Sequence, residues 1–374
     1  MTRLGDVATY INGFAFAPDD WSENGLPIIR IQDLTGNSYQ MNRYAGEYNP
    51  KYEVNRGDVL ISWSASLGVY VWQGEKALLN QHIFKVVFDK CEVDKSFYVH
   101  QVAAILEKAA SQAHGATMKH LTKPVFDALP FYLPDLPTQR RIADTLDKVS
   151  EGITLCRKMM DNLELMVKAK FQELFGDPVS NERGWKLEKL NDICDGIGDG
   201  LHGTPEYDDK GEYPFINGNN LINGVIIITS STKKVNAETY QKHHVNISKN
   251  AILLSINGTL GKLAFYNGEK VILGKSACYC NLKPEINRIF VHGIMKTDAF
   301  AGFLEENATA STIKNVGLKA IRGYKIIMPP QELQTQFVEF SNQIDKLQLT
   351  IQKILAKMEM EKLALMQEFF GRGV

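Results

Sequence analysis

The stretch Gln172-Glu173-Leu174-Phe175-Gly176 returns 195 residues later as Gln367-Glu368-Phe369-Phe370-Gly371. It closes a longer repeat, because residues 117–176 align without a gap onto residues 312–371. Ahead of each copy lies a largely non-helical stretch of domain size. The chain is therefore predicted to consist of two copies of one plan, each a globular head followed by a long helix.

Both repeated segments carry the apolar spacing of a coiled coil, in alternating steps of four and three residues. The first seam consists of Ile142, Leu146, Val149, Ile153, Cys156, Met160, Leu163, Val167, Lys170 and Leu174, of which only Lys170 is not apolar. The second is looser and consists of Ile344, Leu347, Ile351, Ile354, Met358, Glu361 and Leu365, with Glu361 interrupting it. Prolines 137, 329 and 330 mark the helix starts, and glycines 176 and 371 mark the ends. Each helix is predicted to have nearly 40 residues and a length of ~60 Å.

Chain connectivity predicts that the two helices pair antiparallel. The link from the first helix to the second head, residues 177–180, is short, and that head leads directly into the second helix. In a parallel pair the head would have to bridge ~60 Å, which exceeds the diameter expected for ~150 residues. The predicted fold class is α+β, with two similar mixed α/β domains separated by two long helices that form an antiparallel coiled coil with approximate two-fold symmetry. The predicted domains are residues 1–134, 135–176, 177–328 and 329–374.

Composition bounds the function classes. Of the 374 residues 44% are apolar and 23% are charged, which is ordinary for a soluble globular chain, and a cytoplasmic location is expected because no signal peptide or membrane span is recognisable. The net charge of −1 argues against a protein that coats nucleic acid by bulk electrostatics, so any DNA contact must be local. Five cysteines without a C-x-x-C pair indicate neither a disulfide framework nor a zinc site.

Motifs for catalysis are weak. The glycine-dense segment 196–200 is followed by Leu201 where a dinucleotide-binding loop needs glycine, and Pro329-Pro330 lacks the context of a methyltransferase motif that holds a flipped adenine. Asp208-Asp209-Lys210 lacks the second acidic strand of a nuclease, and Cys278-x-Cys280 lacks two further metal ligands. The sequence therefore predicts no catalytic residue, no metal and no cofactor in this chain.

Polar and aromatic residues at strand ends are the candidates for DNA contact, because such side chains hydrogen-bond to base edges in the grooves. In head one they are Arg30, Gln32, Trp63, Ser64, Ser66, Asn80, Gln81, Lys119 and His120. In head two they are Asn217, Asn219, Asn220, Ser255, Asn257, Thr259, Lys275, Lys314 and Asn315. Each one alone is equally compatible with an ordinary turn position. Equivalent placement of Lys119 and Lys314 suits phosphate contact, whereas positions that differ between the heads, such as Trp63 against Ile256, suit sequence specificity.

The whole chain resembles the specificity subunit of Type I restriction-modification systems. The resemblance rests on the head-helix-head-helix order, on the helix onsets Pro134 to Gln139 and Pro329 to Gln334, and on the repeated Gln-Glu-Leu/Phe-Phe-Gly helix ends. The segment Asp199-Gly200-Leu201-His202-Gly203-Thr204-Pro205 also resembles a recurrent opening of target-recognition domains. The family implies that each head reads half of a bipartite DNA site. It further implies two methyltransferase partners that carry S-adenosylmethionine and methylate adenine, with restriction translocase subunits joining the complex.

Apolar positions on the helices are predicted to form the coiled coil and the partner interface. These positions are Ile142, Leu146, Val149, Ile153, Met160, Leu163, Ile344, Leu347, Ile351, Met358 and Leu365. Further apolar residues outside the seams widen this surface, which predicts a four-helix bundle completed by the methyltransferase. The alternative hypothesis is a coiled-coil scaffold whose heads bind proteins and no nucleic acid.

Overall fold

The computed structural model describes residues 2–37, 40–64, 66–112 and 122–371. The chain forms two compact units, of which unit one comprises Met1–Lys158 with Gln352–Val374 and unit two comprises Met159–Ile351. Each unit therefore contains one head together with one end of each long helix. The sequence-based division, which gives each helix a domain of its own, stays a prediction. Nowhere in the described ranges is there a helix with the length and apolar character that crossing a membrane requires.

Head one consists of short strands and helices. Its strands are β1 (Thr2–Arg3), β2 (Thr9–Asn12), β3 (Leu26–Ile29), β4 (Arg43–Tyr44), β5 (Glu53–Val54), β6 (Val59–Ser62), β7 (Gly68–Val71), β8 (Ala77–Leu79), β9 (Ile83–Val87) and β10 (Pro130–Phe131). Its helices are α1 (Leu4–Val7), α2 (Ile31–Leu34), α3 (Lys95–Gln112) and α4 (Lys123–Asp127), and 3-10 turns span Pro18–Asp20 and Pro50–Tyr52. Helix α1 occupies Leu4–Val7, so strand β2 begins only at Thr9.

The strands of head one form two four-stranded sheets, in the orders β2-β9-β6-β7 and β4-β3-β8-β5, and the pair β1-β10. All neighbours in the first sheet are antiparallel, whereas β3 and β8 in the second run parallel. Strand β6 shows why both sheets form. Val59 and Ile61 point into one apolar core and Leu60 into the other, so a continuous apolar run is buried on both faces.

Head two repeats this plan after the first long helix, α5 (Leu136–Phe175). Its strands are β11 (Lys186–Lys189), β12 (Cys194–Asp199), β13 (Tyr213–Ile216), β14 (Leu221–Ile222), β15 (Val225–Ile226), β16 (Lys234–Val235), β17 (Ala251–Ser255), β18 (Leu263–Phe265), β19 (Ile272–Leu273), β20 (Ala277–Leu282) and β21 (Lys325–Met328). Its helices are α6 (Ala237–His243), α7 (Arg288–Met295), α8 (Asp298–Glu306) and α9 (Leu318–Gly323), and 3-10 turns span Leu190–Ile193 and Gly218–Asn220.

The two heads share one topology. The antiparallel sheet β12-β20-β17-β18 corresponds to β2-β9-β6-β7, and β16-β13-β19, with its parallel pair β13-β19, corresponds to β4-β3-β8. Strand β17 repeats the two-sided burial of β6, since Ile252 and Leu254 face one core and Leu253 faces the other. The hairpin β14-β15 is the main addition.

The second long helix, α10, spans Gln331–Phe370 and, like α5, has 40 residues. Each helix start is held by a buried glutamine. Gln139 Nε2 donates to the carbonyl of Pro134, and Gln334 Nε2 donates to that of Pro329, both at 2.8 Å. Gly176 ends α5 with φ of 75°, the left-handed conformation that suits glycine.

Inside each unit the two helices lie antiparallel. In unit one the start of α5, at Leu146, shares a core with the end of α10 at Phe370. Further along, Arg157 pairs with Glu359 at 2.7 Å. In unit two the end of α5, at Phe171, packs on Phe337 near the start of α10, with ring centroids 5.5 Å apart. The predicted fold class, α+β with two similar mixed domains and an antiparallel coiled coil, is confirmed.

Burial follows the predicted seam closely on α5 and less closely on α10. All ten seam positions of α5 are buried or half-buried. On α10, Ile344 and Ile351 are buried, and Met358 and Leu365 are half-buried. By contrast, Leu347 is 52% exposed and Ile354 is 47% exposed. The half-buried Gln348 and Leu355 take their places. The observed seam goes from Ile344 to Gln348, four residues on, and then to Ile351, three residues on. The prediction took Leu347 and Ile354, each one position before the buried residue, and these two side chains lie outside the seam.

Candidate nucleic-acid interface

The candidate residues of head two line two adjoining clefts. Asn217, Asn219, Thr259 and Lys314 line a cleft of about 710 Å³, and Lys275 and Asn315 line a cleft of about 470 Å³. Asn257 belongs to both. Residues far apart in sequence are thus brought together at the ends of β13 and β17 and in the loop before α9. Seven of the nine predicted residues of head two therefore line these two clefts, which meet at Asn257.

Side-chain amides fix the loops around these clefts. Asn217 Oδ1 accepts a hydrogen bond from Ser276 Oγ at 2.9 Å, which joins the end of β13 to the β19–β20 connection. Asn257 Nδ2 donates to Asn315 Oδ1 at 3.1 Å, which joins the loop after β17 to the loop before α9. Each of these bonds uses only part of the capacity of the amide, so donors and acceptors remain for further hydrogen bonds.

Two predicted residues of head two have structural contacts instead of open polar atoms. Ser255 is fully buried, and its Oγ donates to the carbonyl of Thr259 at 2.7 Å and accepts from the Lys262 amide at 2.8 Å. Asn220 accepts from the Asn217 amide and donates to the carbonyl of Ile227, both at 2.9 Å. These side chains shape the loops that carry the cleft.

Positive charge at the clefts comes from two lysines with different surroundings. The ammonium group of Lys314 pairs with the carboxylate of Glu305, which neutralises part of its charge. Lys275 is exposed, and among the described residues no side chain forms an ion pair with it. Lys275 is therefore the better placed of the two for a phosphate or a guanine edge.

In head one the candidates gather where strands β3, β6 and β8 end. The Arg30 guanidinium lies 5.4 Å from the ring centroid of Trp21. Trp63 donates through Nε1 to Asn12 Oδ1 at 3.2 Å and stacks on Phe84. Asn80 Oδ1 accepts a hydrogen bond from the Gln81 amide. The side chains of Gln32, Ser66 and Gln81 are exposed, whereas Ser64 is buried. Lys119 and His120 lie outside the described residues.

Matching backbone hydrogen bonds identify equivalent positions in the two heads. In head one the Phe14 amide donates to the carbonyl of Leu79, and the Gln81 amide donates to the carbonyl of Phe14. In head two the Leu201 amide donates to the carbonyl of Leu273, and the Lys275 amide donates to the carbonyl of Leu201. Side chains at equivalent positions differ in chemistry. The pairs, head one first, are Asn12 and Asp199, Ala15 and His202, Arg30 and Asn217, and Gln81 and Lys275. A shared frame therefore presents two different sets of groups.

Sequence reasoning missed Asp199 and His202 as individual site residues, although both lie in the quoted motif. Both line the smaller cleft of head two, and His202 Nε2 lies 2.7 Å from Asp199 Oδ2. The signal was a histidine three residues after a carboxylate at a strand end. In head one, Phe14 and Trp21 are each 44% exposed beside the candidate residues.

Large pKa shifts lie in the cores. Burial raises the pKa of Tyr10 and Tyr98, whose hydroxyl groups are 2.8 Å apart. The hydrogen bond to Cys280, together with burial, raises the pKa of the Cys194 thiol. The described residues also contain no group of three or more His, Cys, Asp or Glu side chains arranged to hold a metal ion. The chemistry that the clefts offer is hydrogen bonding and charge.

Comparisons with known proteins agree on one family. A family model described as the Type I restriction modification DNA specificity domain matches residues 1–165 and 182–360. The Type I restriction enzyme EcoBI specificity subunit of Escherichia coli is 22% identical over 389 residues, which cover 95% of this chain and 81% of that protein.

Solved structures show the same fold at lower sequence identity. The S subunit of a Type I restriction-modification system from M. genitalium matches with a TM-score of 0.55 and 14% identity over 98% of this chain and 94% of the other. A chain whose structure concerns complex assembly and conformational transition of the type I R-M system matches with a TM-score of 0.51 and 18% identity, covering 99% and 96%. Because the family model matches both halves of the sequence, this chain belongs to the Type I restriction-modification DNA specificity family.

Proposed function

We propose that this chain is the non-catalytic DNA-recognition subunit of a Type I restriction-modification complex. Each head reads one half of a bipartite site in double-stranded DNA. The long helices dock two methyltransferase subunits, which bind S-adenosylmethionine and methylate adenine, and restriction translocase subunits join through that complex. The EcoBI relative and the M. genitalium neighbour are described as specificity and S subunits, which supports this role.

The observation that carries the proposal is the contrast between a shared frame and different cleft residues. Equivalent strand ends present Arg30 and Gln81 in head one but Asn217 and Lys275 in head two. Arginine and lysine pair with guanine, whereas asparagine and glutamine pair with adenine. At both pairs of equivalent positions, one head has a guanine-pairing side chain where the other head has an adenine-pairing side chain. This difference suits two heads of one fold that read two different half-sites.

Charge explains why the partner matters for affinity. Head one has twelve Lys and Arg against fourteen Asp and Glu, and head two has eighteen against sixteen. Nearly neutral heads gain little from counterion release, which dominates nonspecific binding to DNA. Base contacts then supply specificity, and we expect the methyltransferase to supply most phosphate contacts.

Selection from a duplex library with a random central region tests recognition. The complex of this chain with its modification subunit should retain sequences with two fixed blocks separated by a spacer of constant length. Gln81→Ala should relax preference within one block, and Lys275→Ala within the other, by about 1–3 kcal/mol at the affected base pair. Lys210→Ala, on a charged turn away from the clefts, is the matched control. Retention of no sequence, with or without the partner, would favour the scaffold hypothesis.

Exposed apolar residues that recur in the repeat support docking of two methyltransferases. Ile354 and Met360 are 47% and 65% exposed in unit one. Their counterparts 195 residues earlier, Met159 and Leu165, are 43% and 61% exposed in unit two. Each unit thus presents two exposed apolar side chains at equivalent positions of the repeat and outside its seam. This suits a helical partner that binds once to each unit.

Aspartate substitutions at these exposed positions test the docking. Leu165→Asp with Met360→Asp should abolish co-purification with the modification subunit while the chain itself keeps its fold, because both side chains lie outside the seam. Lys357→Asp adds a comparable charge change at an exposed polar site of the same helix and should leave the complex intact. Full complex formation by the double variant would contradict the docking surface.

A further inference from the structure

Head two contains a histidine whose ring is oriented by a neighbouring carboxylate. Asp199 is the last residue of β12, and His202 follows three residues later in the loop. His202 Nε2 lies 2.7 Å from Asp199 Oδ2, and the two side chains are 71% and 21% exposed, respectively. The carboxylate is thus largely covered, whereas most of the imidazole surface faces the cleft and solvent.

The carboxylate determines which ring nitrogen carries the proton. An ionised carboxylate only accepts hydrogen bonds, so Nε2 of His202 must donate to it. In the neutral imidazole the other nitrogen, Nδ1, then has no proton and acts as an acceptor. Asp199 therefore presents His202 to the cleft as an oriented hydrogen-bond acceptor.

The surroundings of this acceptor are those of the candidate DNA surface. The same cleft of about 470 Å³ is lined by Asn257, Lys275 and Asn315. Asp199 and Lys275 are the charged residues that line it, one of each sign. A neutral acceptor beside an amide pair and an ammonium group fits a base edge, where donors and acceptors alternate.

Head one has no histidine–carboxylate pair at the equivalent positions. The residue that ends β2, equivalent to Asp199, is Asn12, and its Oδ1 accepts from Trp63 Nε1. The residue equivalent to His202 is Ala15. Both strand ends are followed by a glycine with no room for a Cβ atom: at Gly13 it would lie 1.9 Å from the Asn80 carbonyl oxygen, and at Gly200 it would lie 2.1 Å from that of Leu273. The backbone frame is the same and only the side-chain chemistry changes.

We propose that His202 contacts a base in the half-site read by head two, accepting through Nδ1 a hydrogen bond from an exocyclic amino group of adenine or cytosine. Asp199 is the positioning residue that fixes the tautomer. This inference rests on the proposed function, because it names one contact within the site that head two reads. It assigns no such contact to head one.

Discrimination at a single base pair gives the contact a signature that a merely structural residue lacks. Loss of one hydrogen bond to an exocyclic amino group should weaken discrimination at the base pair that His202 reads. Discrimination in the other half-site should stay constant.

The test uses the complex with its modification subunit and the duplex that the wild-type complex selects. A panel of duplexes, each with one base pair replaced, is measured by gel shift for wild type, His202→Ala, Asp199→Asn and His244→Ala. His202→Ala should lose about tenfold discrimination at a single base pair of one half-site, and Asp199→Asn should lose part of it. His244→Ala removes an exposed imidazole that lies outside the cleft and should leave every preference unchanged.

The possible outcomes separate the inference from the function on which it rests. Unchanged discrimination at the remaining base pairs of the half-site read by head two shows that head two is folded in each variant. Equal weakening on every duplex would make His202 a phosphate contact and overturn the inference, as would wild-type preferences in His202→Ala. A wild-type complex that selects no sequence would instead overturn the proposed function itself.

Discussion

Head one and head two attach to the long helices through the same element but with different chemistry. In unit one, Phe97 of α3 packs on Phe370 with ring centroids 5.7 Å apart. In unit two, Phe290 of α7 packs on Phe175 at 5.1 Å. Phe175 and Phe370 are 195 residues apart and are therefore equivalent. The aromatic anchor is thus common to both units.

Three residues after each anchor the two units diverge. Head one has His100, whose Nε2 lies 2.7 Å from Asp147 Oδ1 on α5. Head two has Gly293, where a Cβ atom would lie 2.7 Å from the Phe337 ring. Phe337 corresponds to Ile142 in the repeat, so a larger helix residue faces a smaller head residue. Each head is therefore matched in volume and polarity to its own helix segment.

The largest loss of stability should come from removing the Phe337 ring from the aromatic contact of unit two. Phe337 is 1% exposed and packs on both Phe171 and Phe175. Phe337→Ala should lower the free energy of unfolding by about 3–5 kcal/mol, because it leaves a cavity. Hydrogen exchange followed by mass spectrometry should show the loss in peptides of unit two. Leu349→Ala, at a side chain 53% exposed, is the control with little expected effect.

The glycine opposite this ring provides the second test of the matching. Gly293→Ala should destabilise unit two by about 1–3 kcal/mol, because the added methyl group meets the Phe337 ring. Combining it with Phe337→Ile, which imports the residue of unit one, should cost less than the sum of the two changes. Gly302→Ala, with no atom within 4 Å of the new Cβ, should be neutral or stabilising. Additive losses in the double variant would contradict volume matching.

Sequence could predict the long helices and the repeated plan because both depend on periodic burial. A seam from Ile142 to Leu174 has enough repeats to fix the buried face of α5. On α10 the pattern failed at Leu347 and Ile354, because apolar residues occur on both sides of the true seam. The gap-free repeat itself gives the correct face, because Ile153 and Met160 of the α5 seam correspond to Gln348 and Leu355.

The candidate site could be predicted only as a set of strand ends. Asn217 and Asn257 line one cleft, and both were candidates because they follow predicted strands. The roles of individual side chains depended on distances that only folding defines. Ser255 lies inside the loop, and His202 gains its significance from the position of Asp199.

Acid should affect the two heads differently, because two residues after each anchor head two has His292 where head one has Val99. Burial against the Phe265 ring lowers the pKa of His292 to about 3. An unfolded histidine binds its proton near pH 6.5, so the stabilising effect of the neutral ring is complete above that pH and is lost as the pH falls towards about 3. At pH 5.5 head two should be about 1 kcal/mol less stable than at pH 8. His292→Val should remove this difference in urea unfolding, and a persistent pH dependence would assign it to other groups.

The smallest effect should come from the polar contact of unit one. Asp147 accepts from Ser96 Oγ at 2.7 Å as well as pairing with His100, but its side chain is 41% exposed, so water can replace either partner. Asp147→Asn should therefore cost less than about 1 kcal/mol. Exchange protection of α3, measured against Asp144→Asn on an exposed face of the same helix, provides the comparison. A loss as large as that of Phe337→Ala would show that the polar pair, and not the Phe97 anchor, holds head one to its helices.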